Sequence, residues 1–64
     1  MIVNGEALAV DDGATVADLL VRLGVASQAV AVEVNLDLVP RAQHAEVRLT
    51  EGDRVEVVTL VGGG

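Results

Sequence analysis

The chain has no cysteine, no aromatic residue and no lysine, and only one proline, one histidine and one methionine. Without cysteine there is no disulfide and no thiolate metal site to stabilise a small fold, and the redox compartment is unconstrained. Without Phe, Tyr or Trp the core must be assembled from Val, Leu, Ile and Ala. Each larger aliphatic side chain adds about 1.5–3 kcal/mol when buried. Four arginines (Arg22, Arg41, Arg48 and Arg54) stand against ten acidic residues, a formal net charge of −6. A nucleic-acid binder needs cations to neutralise phosphates, so no nucleic-acid role is expected. The same shortage argues against a membrane-surface role. No stretch approaches the length of a membrane-spanning helix, and Met1 leads directly into a short strand pattern without a basic leader, so a cytoplasmic protein is expected.

At 64 residues the chain is one domain near the lower size limit for independent folding. Its 52% hydrophobic content, rich in valine, argues against disorder and in favour of strands. Asn4-Gly5, flanked by Met1-Ile2-Val3 and Glu6 to Val10, reads as a hairpin, because a type I′ turn needs positive φ at both central residues. In that register Met1, Val3, Leu8 and Val10 share one face and Ile2 points the other way. Asp11-Asp12-Gly13 is turn chemistry, since the alternating carboxylates of a calcium loop are absent. Thr15, with Asp18 three residues on, is a capping-box start for a helix whose apolar stripe is Val16, Leu19, Leu20 and Leu23. Gly24 stands where a left-handed residue ends it.

Val30, Val32 and Val34 alternate as the buried face of a strand, and Asn35-Leu36-Asp37 is a turn. Leu38-Val39 is a short strand stopped by Pro40, which belongs on an edge. Residues 41–47 read as irregular or one helical turn. His44 there stands alone, without companion ligands or a nearby nucleophile, so it is assigned to packing or surface and no metal site is expected. Leu49 is expected to plug the core, and Thr50 to Asp53 to form a turn. The last strand, Arg54 to Leu60, puts Val55 and Val57 toward the helix and Glu56, Val58 and Leu60 outward. Val58 and Leu60, with Ile2 if its strand is adjacent, would make an apolar docking patch.

Hairpin, helix, strand, short strand, strand is the order of an α+β β-grasp, with a mixed sheet of about five strands packed on one α-helix and the last strand parallel to the first. The domain is expected to span residues 1–61 and a glycine tail residues 62–64. Gly62, Gly63 and Gly64 form an arm without side chains. Three extended residues reach roughly 10 Å, enough to carry a terminal carboxylate into another protein's active site. The alternative is a frayed end.

The residues then align with a family. Val3-Asn4-Gly5, Thr15-Val16 with Leu19-Leu20, Val30 to Asn35, Val39-Pro40-Arg41, Glu51-Gly52-Asp53, Val55 to Val58 and the final glycines resemble the ThiS-type sulfur carriers of thiamin biosynthesis, which are ubiquitin-like. The resemblance covers essentially the whole chain. It implies a carrier without catalytic side chains of its own. A ThiF-type adenylyltransferase using ATP and Mg²⁺ would adenylate the Gly64 carboxylate. A sulfur donor fed by a cysteine desulfurase would convert it to a thiocarboxylate, and thiazole synthase would accept the sulfur. The family pair of terminal glycines maps onto Gly63 and Gly64. The small subunit of molybdopterin synthase shares this fold and tail. A ubiquitin-like modifier conjugated through Gly64, or a plain interaction domain with an inert tail, are the other readings.

Overall fold

The computed structural model describes residues 1–60. Gly62, Gly63 and Gly64 and the domain boundary expected at Val61 lie outside that range. Among the described residues five strands and one helix form the fold: β1 (Ile2–Val3), β2 (Glu6–Ala7), α1 (Val16–Leu23), β3 (Val30–Val34), β4 (Asp37–Val39) and β5 (Arg54–Thr59). Short 3₁₀ turns at Ser27–Ala29 and Arg41–Gln43 join them. The sheet order is β2-β1-β5-β3-β4. β1 and β5 are parallel, and the other three pairings are antiparallel. The α+β β-grasp with its five-stranded mixed sheet is what the chain forms.

Local chemistry explains each element. Asn4 (φ 51°) and Gly5 (φ 84°) are both left-handed, which closes the β1–β2 hairpin. The ladder is shorter than the alternation suggested, with two residue pairs, although Leu8 N–H still donates to Met1 O at 2.9 Å. Thr15 Oγ accepts from Asp18 N–H at 3.2 Å, and Asp18 Oδ2 accepts from Thr15 N–H at 2.9 Å, completing the capping box. The remaining N–H groups of the first turn are satisfied as well. Val16 donates to Val47 O, Ala17 to His44 O and Leu19 to Thr15 O. The helix start is thus stitched to the segment that precedes β5. Gly24 (φ 74°) ends α1, donating to the carbonyls of Leu20 and Val21.

The helix lies across one face of the sheet. Val16, Leu19 and Leu20 meet Val3, Val30, Val32, Val39, Val55 and Leu49 in the core. Leu49 is buried as expected, held by its N–H to Ala14 O at 2.7 Å. Leu23 departs from the expected stripe. It is 39% exposed, because it sits in the last turn of α1, next to Gly24. Asn35 (φ 52°) and Leu36 (φ 73°) form a second two-residue hairpin turn, between Val34 and Asp37. A leucine with positive φ is unusual, since its Cβ crowds the following carbonyl.

Candidate functional site

Cross-strand register defines which side chains share the outer face of the sheet. On β5, Val55 is buried and Val57 half-buried against the helix side, while Arg54, Glu56 and Val58 face out. Val58 lies opposite Ala31 of β3, and Glu56 opposite Glu33. Glu33 in turn lies opposite Leu38 of β4. Leu60 continues the line, with its N–H donating to Ala29 O at 2.8 Å. Val58 and Leu60 are 56% and 57% exposed. Ala31, Val58 and Leu60 therefore form an apolar strip at the end of β5, directly before Val61.

Ile2 does not join that strip. Its strand is adjacent to β5, but the parallel register sets Ile2 beside Arg54, four residues before Val58. At about 3.3 Å per residue the separation along the strand is roughly 13 Å. Ile2 is half-buried and has Glu56 between it and the strip. Gly62, Gly63 and Gly64 lie outside the described residues. Ala31 and Leu38 complete the outer face and were not singled out by sequence. The signal was the out-of-phase half of the strand alternation, Ala31 and Glu33 on β3 and Leu38 on β4.

The described residues offer little else that could do chemistry. No group of three or more His, Asp or Glu is placed to hold a metal ion among them. His44 is buried, with Nε2 3.2 Å from Val39 O and Nδ1 without a hydrogen-bond partner, and it acts as a packing residue between β4 and the helix start. A shallow groove of about 490 Å³ beside β2, lined by Met1, Leu8, Val10, Asp11, Leu49 and Glu51 among others, contains no nucleophile paired with a base. Among the described residues no helix is long and apolar enough to cross a membrane. One carboxylate is tied into the turn before β5. Asp53 is held below the ordinary aspartate value of 3.8, first by the Thr50 N–H donated to its carboxylate and also by Asn35. The distances are 2.8 Å from Thr50 N and 3.0 Å from Asn35 Nδ2.

Known proteins resemble this chain. A thiazole synthase of Paramagnetospirillum magneticum is 44% identical over all 64 residues, which make up 20% of that protein. A thiazole synthase of Magnetococcus marinus is 44% identical over 61 residues, 95% of this chain and 19% of that protein. The chain thus spans about a fifth of the length of these two relatives. The sulfur carrier protein ThiS of Bacillus subtilis is 36% identical over 53 residues, 83% of this chain and 80% of that one. Among solved structures, the crystal structure of the thiamine biosynthesis protein ThiS from Geobacter metallireducens superposes with a TM-score of 0.82 at 35% identity, covering 98% of this chain and 96% of that one. The ThiS family model matches residues 1–64, and the chain belongs to the ThiS family.

Proposed function

We propose that this chain is a sulfur carrier for thiazole formation in thiamin biosynthesis, and that Gly64 carries the sulfur. The observation that supports this most is the family match over residues 1–64, which includes the three glycines. In this reading the chain is a co-substrate, not a catalyst. A ThiF-type adenylyltransferase with ATP and Mg²⁺ joins AMP to the Gly64 carboxylate and releases pyrophosphate. The terminal sulfur of a donor persulfide, supplied by a cysteine desulfurase, attacks the acyl carbon and AMP leaves. A thiol then cleaves the S–S bond, and the sulfur stays on Gly64 as a thiocarboxylate. Adenylation is needed because a free carboxylate has no adequate leaving group. Thiazole synthase takes the sulfur, a partnership suggested by the relatives of that name.

Gly62 and Gly63 suit a narrow channel because they present no Cβ. Ordering such an arm costs roughly 1–2 kcal/mol per residue in backbone entropy. Docking of the folded domain offsets that cost, and Val58 and Leu60 are the exposed apolar residues nearest the arm. Ile2 extends the same sheet face further from it.

Intact mass spectrometry tests the reading. The protein is incubated with ATP, Mg²⁺, a ThiF-type adenylyltransferase and sulfide, beside a variant lacking Gly64. A mass gain equal to exchanging one oxygen for sulfur is expected on the full chain alone. No adenylate and no thiocarboxylate, with an enzyme active on another carrier, would sink the proposal.

A further inference from the structure

The two edges of the sheet differ. β4 is three residues long and runs into Pro40, which has no N–H to offer a further strand. β2 has no such stop. Leu8 N–H donates to Met1 O at 2.9 Å and Met1 N donates to Leu8 O at 3.3 Å, so Met1 and Leu8 are a bonded pair. Antiparallel alternation then turns the N–H and C=O of Ala7, opposite Ile2, away from the sheet. Ala9 follows the same alternation. Its carbonyl takes the Arg22 guanidinium, while its N–H finds no acceptor among the described residues. Along this edge runs the groove of about 490 Å³. Half-buried Met1, Leu8 and Val10 and buried Leu49 give it an apolar floor, and α1 contributes nothing to its walls. Exposed Asp11, Asp12 and Glu51 line its rim. Arg22 and Arg48 do not line it, being bound to Ala9 O and Gly13 O.

We propose that the β2 edge and its groove receive an extended segment of a partner protein as an added strand, with an aliphatic side chain in the groove and a basic side chain two residues on against Asp11, Asp12 and Glu51. Side chains two apart on a strand point the same way, so one face of the added strand serves both contacts. Backbone bonds to Ala7 and Ala9 supply affinity, and the groove selects the side chains. Charge decides the occupant. A second copy of this chain, itself at −6, meets the rim with like charge, whereas a basic segment complements it. The site is far from the end of β5. Ile2, the partner of Ala7, pairs with Arg54, six residues before Leu60. At about 3.3 Å per residue that is roughly 20 Å along the strand. A protein held at this edge leaves the end of β5 open to another, and the inference does not depend on the carrier reading.

The probe is the end-capped peptide Thr-Val-Thr-Arg-Thr, titrated into the isotope-labelled full chain and followed by amide NMR. Saturable shifts are expected at Ala7, Ala9 and Asp12, and none at Val58 or Leu60. Glutamate in place of the peptide arginine should weaken binding about 10-fold or more, and methylating the peptide's backbone nitrogens should abolish it. On the protein side, D11N/D12N/E51Q should bind the arginine peptide about 10-fold more weakly and lose most of the salt dependence. Ala7→Pro removes an N–H that bonds to nothing inside the domain. It should keep the thermal midpoint and bind about 3- to 10-fold more weakly. If Ala7→Pro does not fold, the carboxylate variant and the methylated peptide decide. Equal binding of the glutamate or methylated peptide, shifts centred on Val58 and Leu60, or a lack of saturation overturns the inference. Shifts at Ala7 and Ala9 on concentrating the protein alone would make this edge a contact between copies and overturn it too.

Discussion

Asn4 holds both backbone polar groups of Val57. Its Oδ1 accepts from the Val57 N–H at 2.7 Å, and its Nδ2 donates to the Val57 carbonyl at 3.3 Å. The side chain of a turn residue thereby continues the β1–β5 ladder past the point where β1 ends. Asn35 repeats the device at the other hairpin, accepting from Arg54 N–H at 3.0 Å. Each turn that starts with a left-handed asparagine is tied to the central strand.

Replacing Asn4 by glycine keeps the positive φ and removes the clamp. Two neutral, exposed hydrogen bonds are lost, so Asn4→Gly should destabilise by about 1–2 kcal/mol in urea unfolding. The Val57 amide should also exchange faster with deuterium than in the original protein. Unchanged exchange at Val57 would mean the clamp is not formed in solution.

Leu36 should be replaceable with profit to stability. Its side chain is 83% exposed, so little burial is lost, and its φ of 73° costs a non-glycine residue about 1–2 kcal/mol. Glycine recovers that strain less its own extra unfolded-state entropy, a net gain of about 1 kcal/mol for Leu36→Gly. A lower unfolding midpoint for the variant would contradict this account.

The acid limb of stability should depend on Asp53. Its carboxylate is held below the ordinary value by the bond from Thr50 N–H, so the unfolded chain binds the proton more tightly than the folded one. The contribution is therefore complete above the unfolded value near 3.8 and fades as pH falls through the lower folded value. Unfolding measured from pH 6 to pH 2 should show a shallower acid slope for Asp53→Asn. Solvent screening keeps the effect modest.

Two helix positions should behave differently despite similar sequence periodicity. Leu20 is buried in the core, and Leu20→Ala should cost about 2–5 kcal/mol, a large part of the stability of a domain this small. Leu23→Ala should cost clearly less than Leu20→Ala, because Leu23 is 39% exposed and lies outside the core cluster. Comparable losses at both sites would place Leu23 in the core.

Much of the fold could be read from the chain because local and long-range signals agreed. Asn4-Gly5, the Thr15–Asp18 capping box, Gly24 and the valine alternation each have one dominant physical reading, and each occupies the expected place. Asn35-Leu36 was legible as a turn but not as a left-handed pair, since leucine carries no preference for positive φ. The position of Leu23 depended on where the helix ran past the sheet, which periodicity does not encode. The site was less legible. Val58 and Leu60 followed from alternation, but the distance of Ile2 from them depended on parallel register, which is set by packing. The opposition of Glu33 and Glu56 likewise exists only once β3 and β5 are paired.

The central position of β5 has a mechanical consequence. It is flanked by β1 on one side and β3 on the other, and the residues after it lead to Gly64. A load applied through the glycines therefore enters the sheet at its middle. A load along the β5 axis would act against two ladders in shear and would not peel an edge strand away one bond at a time.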